Sequence, residues 1–131
     1  MRTMSHRSLE TERRQGRSTD TLVSLCRLLD AARQNSGLSA LAIADTSGCL
    51  VAGSGAARVC EELAAISTLP ANDPRLEELG FRGQRPPVRQ LLIDGFEVSI
   101  SALGDADDAD YARLSDGCRR ILTETSHAAA R

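Results

Sequence analysis

The sequence predicts an α+β protein, in which an antiparallel sheet of four or five strands is flanked by helices in the order αββα(α)ββα. A strand–turn–strand–helix unit occupies residues 38–69. A second pair of apolar segments is joined by Asp94-Gly95, a strong signal for a hairpin. Helically spaced apolar residues follow each pair. An antiparallel sheet covered by helices accommodates all three observations.

The chain is predicted to form a tail and one domain. Residues 1–17 carry five Arg and hardly any large apolar residue, which predicts a disordered basic tail. Residues 18–126 are long enough for a single core and form the predicted domain. Its first helix is predicted to start at Ser18 or Thr19 and to end near Gln34. The proposed buried stripe of this helix consists of Leu22, Leu25, Cys26, Leu29 and Ala32.

The central unit begins with Leu38 to Asp45, where large apolar residues alternate with alanines. This pattern predicts a strand covered on both faces, with a helix packed closely on the alanine face. An Asx-type turn is predicted at Asp45 to Gly48, and Cys49 to Gly53 then returns as a second strand. The second helix starts near Ala56 and is stopped by Pro70.

The connection over residues 70–87 offers only one to two helical turns, for which Asp73-Pro74 is the predicted start. The strand after Asp94-Gly95 alternates apolar and polar residues, which predicts burial on one face only. Acidic residues between Asp105 and Asp110 are predicted to cap a last helix. The buried stripe of that helix is predicted to contain Tyr111, Leu114, Cys118, Ile121, Leu122 and Thr125.

Composition argues against several classes of function. All 16 basic residues are Arg, so lysine-based catalysis and a P-loop lysine are excluded. The net charge of -2 and the scarcity of aromatic residues give no support for a nucleic-acid partner. No apolar run approaches a membrane span, and no signal peptide is recognised, so we expect a cytoplasmic protein without membrane insertion.

No catalytic, cofactor or metal motif is found. The four cysteines show no C-x-x-C spacing and both histidines lie near the termini, so we expect no metal and reduced, mostly buried thiols. Of the four, Cys49 is the one expected to be exposed. Ser54 or Cys49 as a nucleophile would need a base that no spacing supplies. Gly53-x-Gly55 lacks the rest of a phosphate-binding fingerprint.

The order of these elements resembles the Roadblock/LC7 family of small regulatory proteins. The likeness covers about Ser18 to Thr125, and includes the Asp45-Thr46-Ser47-Gly48 turn and the helix over Arg58 to Leu69. The resemblance implies a dimeric platform, without catalytic residues, that binds small GTPases or acts as an adaptor. Members usually have a fifth strand, whereas residues 70–87 show a short helix where it would begin. The competing resemblance is to GAF and PAS sensor domains, which would use a pocket lined by Leu76 to Arg85.

Self-association is predicted through the second helix and the strand near Val88. The helix has a mixed face with a small residue at its centre, and the strand offers an unprotected edge. We expect a homodimer, or a heterodimer with a related chain, whose interface contains Arg58, Glu61, Glu62, Ala65, Val88 and Gln90.

Overall fold

The computed structural model describes residues 6–78, 86–93 and 95–130, with the backbone alone for residues 6–19, 96 and 125–130. In chain order the elements are α1 (His6–Ser36), β1 (Ala40–Ala44), β2 (Leu50–Ser54), α2 (Ala57–Ile66), α3 (Arg75–Glu78), β3 (Val88–Ile93), β4 (Phe96–Leu103) and α4 (Asp108–Ala130). This order confirms the predicted α+β class.

The described strands form one antiparallel sheet in the order β2-β1-β4-β3. Each hairpin contributes one central and one edge strand. The first hairpin closes as predicted, because the backbone N–H groups of Ser47 and Cys49 both donate to Asp45 Oδ1 at 2.9 Å. Gly48 takes the positive φ of 83° that this turn requires.

Two cores cover the two faces of the sheet. On one face α1 and α4 pack on the large side chains of the strands, among them the fully buried Ile43 and Ile100. On the other face α2 packs on Ala40 and Ala42 of β1, and Leu76 of α3 joins the same core. The alanines of β1 therefore admit a close helix, as predicted.

The structure extends the first helix beyond its predicted start. Helix α1 begins at His6 rather than at Ser18 or Thr19. Residues 6–17, predicted as part of a disordered tail, are therefore helical, while residues 1–5 lie outside the described residues. The physical reason is local: this segment contains no proline and is rich in Arg, Glu and Gln, which favour helices even without an apolar stripe. Leu22, placed in the predicted buried stripe, is 38% exposed.

One burial prediction for β4 is wrong. Ser99 and Ser101 were assigned to a solvent face, yet both are buried. They lie directly opposite Ala44 and Ala42 of β1, on the face that α2 covers. The small alanines let the helix approach so closely that its cover extends to the neighbouring strand. The predicted Asp94-Gly95 turn includes Asp94, which lies outside the described residues, and Gly95 has the positive φ of 79° expected there.

Candidate protein–protein interface

The outer face of α2 is a narrow strip of exposed residues. Arg58, Glu61 and Ala65 are exposed and follow one another at intervals of three and four, so they share one side of the helix, and the exposed Thr68 follows two residues after its end. The opposite side carries the buried Cys60, Leu63, Ala64 and Ile66. The small Ala65 at the centre of the strip leaves room for another chain to approach the helix backbone.

The position of α2 on the sheet depends on the pairing of Gly53 with Cys60. A Cβ added to Gly53 would lie 2.9 Å from both Cβ and Sγ of Cys60, closer than real contacts allow. The Cys60 thiol also donates toward two backbone carbonyls, Leu41 O at 3.4 Å and Ser54 O at 3.3 Å. Burial raises the pKa of this thiol, so it keeps the proton that these contacts need. The exposed side of α2 therefore belongs to a helix that packs closely against the sheet.

Edge strand β3 exposes an apolar side chain on the face that α2 only partly covers. Cross-strand pairing places Val88, Gln90 and Leu92 opposite Ser101, Ser99 and Glu97 of β4, on the same side of the sheet as α2. Gln90 is exposed, Val88 is half-buried and Leu92 is 66% exposed. Among the described strands β3 pairs with β4 alone, so its outer edge also has unpaired backbone groups.

The other face of β3 contacts α4 through polar and cation–π interactions. The guanidinium of Arg89 lies 5.2 Å from the centre of the Tyr111 ring and forms an ion pair with Asp108. The Tyr111 hydroxyl donates to the Pro87 carbonyl at 3.2 Å, and burial raises the pKa of that hydroxyl. These contacts hold the strand from one side, while Gln90 and Leu92 are exposed on the other.

All six predicted interface residues lie on the same side of the sheet. Arg58, Glu61 and Ala65 are exposed on α2, and Glu62 is half-buried beside them. Leu92 and Thr68, which are also exposed, are not among the six predicted residues. Leu92 follows Val88 and Gln90 at intervals of two, so the sequence places it on the same face of the strand. Its exposure depends on how far α2 extends over the sheet, which the sequence does not show.

The charges on α2 are only loosely engaged within the chain. Arg58 Nε lies 3.9 Å from Glu62 Oε2, and the Arg58 side chain is 90% exposed. Exposed pairs of this kind contribute little to stability, at most about 1 kcal/mol. The guanidinium of Arg58 is therefore available to a carboxylate of another chain.

The two side chains considered above as nucleophiles lie in different surroundings. Ser54 is buried, its Oγ donates to Asp30, and it accepts a hydrogen bond from Arg33 Nε at 2.7 Å. These bonds tie β2 to α1 and include no imidazole base. Cys49 is exposed in the turn after β1, as expected.

Most of the residues that would line a pocket of the sensor type, between Leu76 and Arg85, lie outside the described residues. Leu76 is fully buried in the α2 core, and residues 79–85 lie outside the described residues. The described residues do contain a cavity of about 240 Å³, but it lies between α1 and α4. Typical small-molecule sites are larger, roughly 300–1,000 Å³.

Two negative findings, on metal ligands and on membrane spans, concern only the part of the chain that the structure describes. No three His, Cys, Asp or Glu side chains in this part of the chain are grouped so that they would hold a metal ion. Nor does any helix in it combine the length and apolar character needed to cross a membrane.

The backbone is similar to that of a solved structure, MglB from Myxococcus xanthus. The match has a TM-score of 0.52 and covers 79% of this chain and 91% of that chain, at 11% sequence identity. No protein-family model and no curated protein matches the sequence. At such low identity the likeness concerns the fold alone. MglB is a Roadblock/LC7 protein. The fold of this chain is thus similar to that of a Roadblock/LC7 protein, as the order of its sequence elements predicts.

Proposed function

We propose that this protein is a non-enzymatic regulatory or scaffold protein, which forms a dimer and acts as an adaptor for a small GTPase or another signalling partner. The observation that carries the proposal is the exposure of Leu92 on the side of the sheet that α2 covers. An apolar side chain exposed on an edge strand, on the same side of the sheet as a helix with an exposed alanine, is a surface suited to another protein chain.

A second copy of the chain, or a related one, is the expected occupant of this surface. Two copies related by a two-fold axis would bring the β3 edges or the α2 strips against each other. Leu92 would then be buried against its counterpart, and Arg58 of one copy would reach Glu61 or Glu62 of the other. A contact through the β3 edges would cover those edges and close the assembly at two copies.

The partner class rests on the resemblance to Roadblock/LC7 proteins, which implies binding of small GTPases. The likeness in fold to MglB supports the same class of regulatory protein. We place the protein in the cytoplasm, because all four cysteines are free thiols and reduced thiols suit that compartment.

Self-association is tested by sedimentation equilibrium of the purified chain at tens of micromolar. We expect a dimer for the wild type and a monomer for Ala65→Arg and for Leu92→Arg, since each places a charge in the proposed interface. Ala112→Arg, at an exposed position on α4, is the matched control and should remain dimeric. A monomeric wild type, or variants that all stay dimeric, would contradict the proposed interface.

The partner class is tested separately with purified small GTPases, each loaded with GDP or with a non-hydrolysable GTP analogue. We expect at least one to bind the wild-type dimer with an affinity that depends on the nucleotide. The competing sensor function predicts instead a large thermal shift with a member of a metabolite panel. That shift, without any GTPase binding, would overturn the adaptor proposal.

A further inference from the structure

The outer edge of β2 is the second open edge of the sheet. Among the described strands β2 pairs with β1 alone. The backbone N–H and C=O groups that point away from β1 therefore have no strand partner in the described part of the chain. The segment Leu50–Ser54 contains neither a charged residue nor a proline, which commonly keep foreign strands away from an edge.

Helix α1 runs beside this edge in the same direction as β2. The chain reverses between α1 and β1, where the Leu38 N–H donates to Arg33 O at 3.0 Å, and β2 is antiparallel to β1. At the end of β2, Ser54 Oγ donates to Asp30 and accepts a hydrogen bond from Arg33 Nε. The side of α1 that carries Asp30 and Arg33 therefore faces β2.

Two exposed apolar residues of α1 lie on this same side, level with the start of β2. Val23 precedes Asp30 by seven residues, which is two helical turns or about 11 Å. Leu22 precedes Arg33 by eleven residues, which is three turns or about 17 Å. The distance along β2 from its last residue back to Leu50 is about 13 Å. The start of β2 thus lies beside Leu22 and Val23, and both are exposed.

The start of β2 adds an apolar side chain to each face of the edge. Leu50 pairs with Ala44, which lies two residues after Ala42 on the face that α2 covers. Val51, the next residue in the chain, packs against the core under α1 and is half-buried. With the two residues of α1, three of the four exposed large apolar side chains in the described part of the chain are grouped at this edge.

We propose that the β2 edge binds an extended segment of a partner protein, which adds to the sheet as a further strand and carries large apolar residues on both of its faces. The form of the ligand follows from the backbone, because a row of unpaired N–H and C=O groups is complemented along its length by another strand. Its apolar character follows from the side chains. Alternate residues of the added strand would lie beside Leu50 on one face, and beside Leu22 and Val51 on the other.

This site goes beyond the proposed dimer and does not depend on it. Strands β2 and β3 form the two opposite edges of the sheet, so the β2 edge and the surface around Leu92 can be occupied at once. A dimer formed through the β3 edges would therefore offer two β2 edges to partner strands.

The test uses a phage-displayed library of linear peptides, selected on the full-length chain. We expect enriched peptides to contain an uninterrupted apolar run without proline. Binding of one such synthetic peptide should fall about tenfold or more for Leu50→Arg and for Val23→Arg, since each places a charge at an exposed position beside the edge. Leu92→Arg makes the same substitution on the opposite edge, and this matched control should bind as the wild type does even where it abolishes the dimer.

Strand addition is tested by N-methylation of the same peptide. An N-methyl group removes a hydrogen-bond donor, and alternate residues of an added strand direct their N–H groups toward β2 or away from it. We expect methylation at one set of alternate residues to abolish binding, and methylation at the other set to weaken it far less. A helix or a compact ligand would not show this alternation.

Equal thermal midpoints of the three Arg variants exclude unfolding as the cause of lost binding, and the methylation result requires no variant. Failure to enrich any peptide, binding that survives both Leu50→Arg and Val23→Arg, or equal effects of the two methylation patterns would each overturn the proposal. Association of the chain beyond a dimer, abolished by Leu50→Arg, would show that a second copy occupies this edge. That result would overturn the assignment of the edge to a partner protein.

Discussion

Ile43 and Ile100 sit directly opposite each other on the two central strands, and neither has any exposed surface. We expect truncation of either to Ala to lower the free energy of unfolding by about 2–5 kcal/mol, because it removes buried methyl groups and leaves a cavity. Val23→Ala, at an exposed position of α1, is the control and should change stability by less than about 0.5 kcal/mol. Urea denaturation measures all three, and small losses at both isoleucines would mean that the sheet faces are wrongly assigned.

Gly53 is important because it has no Cβ atom. A methyl group there meets Cys60 Cβ and Sγ at 2.9 Å, and Cβ cannot move without shifting α2. We expect Gly53→Ala to lower the free energy of unfolding by about 1–3 kcal/mol, as overpacking does.

Gly117→Ala provides a matched comparison for Gly53→Ala. Its added methyl group meets only the movable side-chain end of Leu28, at 2.8 Å. Thermal denaturation of the two variants should show the larger loss for Gly53→Ala. An equal or smaller loss would show that the contact between α2 and the sheet is not tight.

At the scale of elements, the start of α4 is a reciprocal cap that also holds the end of α1. The Asp110 N–H donates to Asp107 Oδ1 at 2.8 Å, the Asp107 N–H donates back to Asp110, and Ser36 Oγ donates to Asp110 as well. The backbone N–H of Asp107, followed by the Ser36 hydroxyl, lowers the pKa of the Asp110 carboxyl below its ordinary value.

A pH dependence follows from this lowered pKa. A carboxyl whose folded pKa is depressed contributes stability that is present above its unfolded pKa of about 4 and is lost as the pH falls through the folded pKa. We therefore expect Asp110→Asn to destabilise the protein more at pH 7 than at pH 3. Urea denaturation at the two pH values measures the difference. Equal destabilisation at both would mean that the charge of Asp110 does not contribute.

The sequence predicts the local turns and the spacing of apolar residues in each element, but it does not predict how far each helix extends over the sheet. The alternation in β1 correctly predicted a helix on its alanine face, and Asp45 correctly predicted the turn. The burial of Ser99 and the exposure of Leu92 depend on where α2 stops across the sheet, which no local pattern encodes. The cavity between α1 and α4 was likewise not predicted, because it is lined by two helices that are distant in sequence.

At the scale of the whole molecule, the length of α1 raises the question of where the domain begins. The helix starts at His6, yet its first buried side chain among those described is Leu25. Between these points Leu22 and Val23 are 38% and 43% exposed, so this part of the helix packs little against the sheet. Helical backbone alone adds little stability, since most of it comes from packing of an apolar face.

Deletion of residues 1–17 is therefore expected to leave the fold intact. The thermal midpoint should change by less than about 2 °C, which corresponds to less than about 0.5 kcal/mol for a domain of this size. Deletion of residues 1–28 removes Leu25 and should lower the midpoint strongly, which makes it the positive control. Differential scanning calorimetry of both truncations against the full chain measures these changes. A fall of several degrees for the shorter deletion would show that the start of α1 packs against the rest of the chain. The folded unit would then begin before residue 18, and the predicted division into a tail and a domain would be wrong.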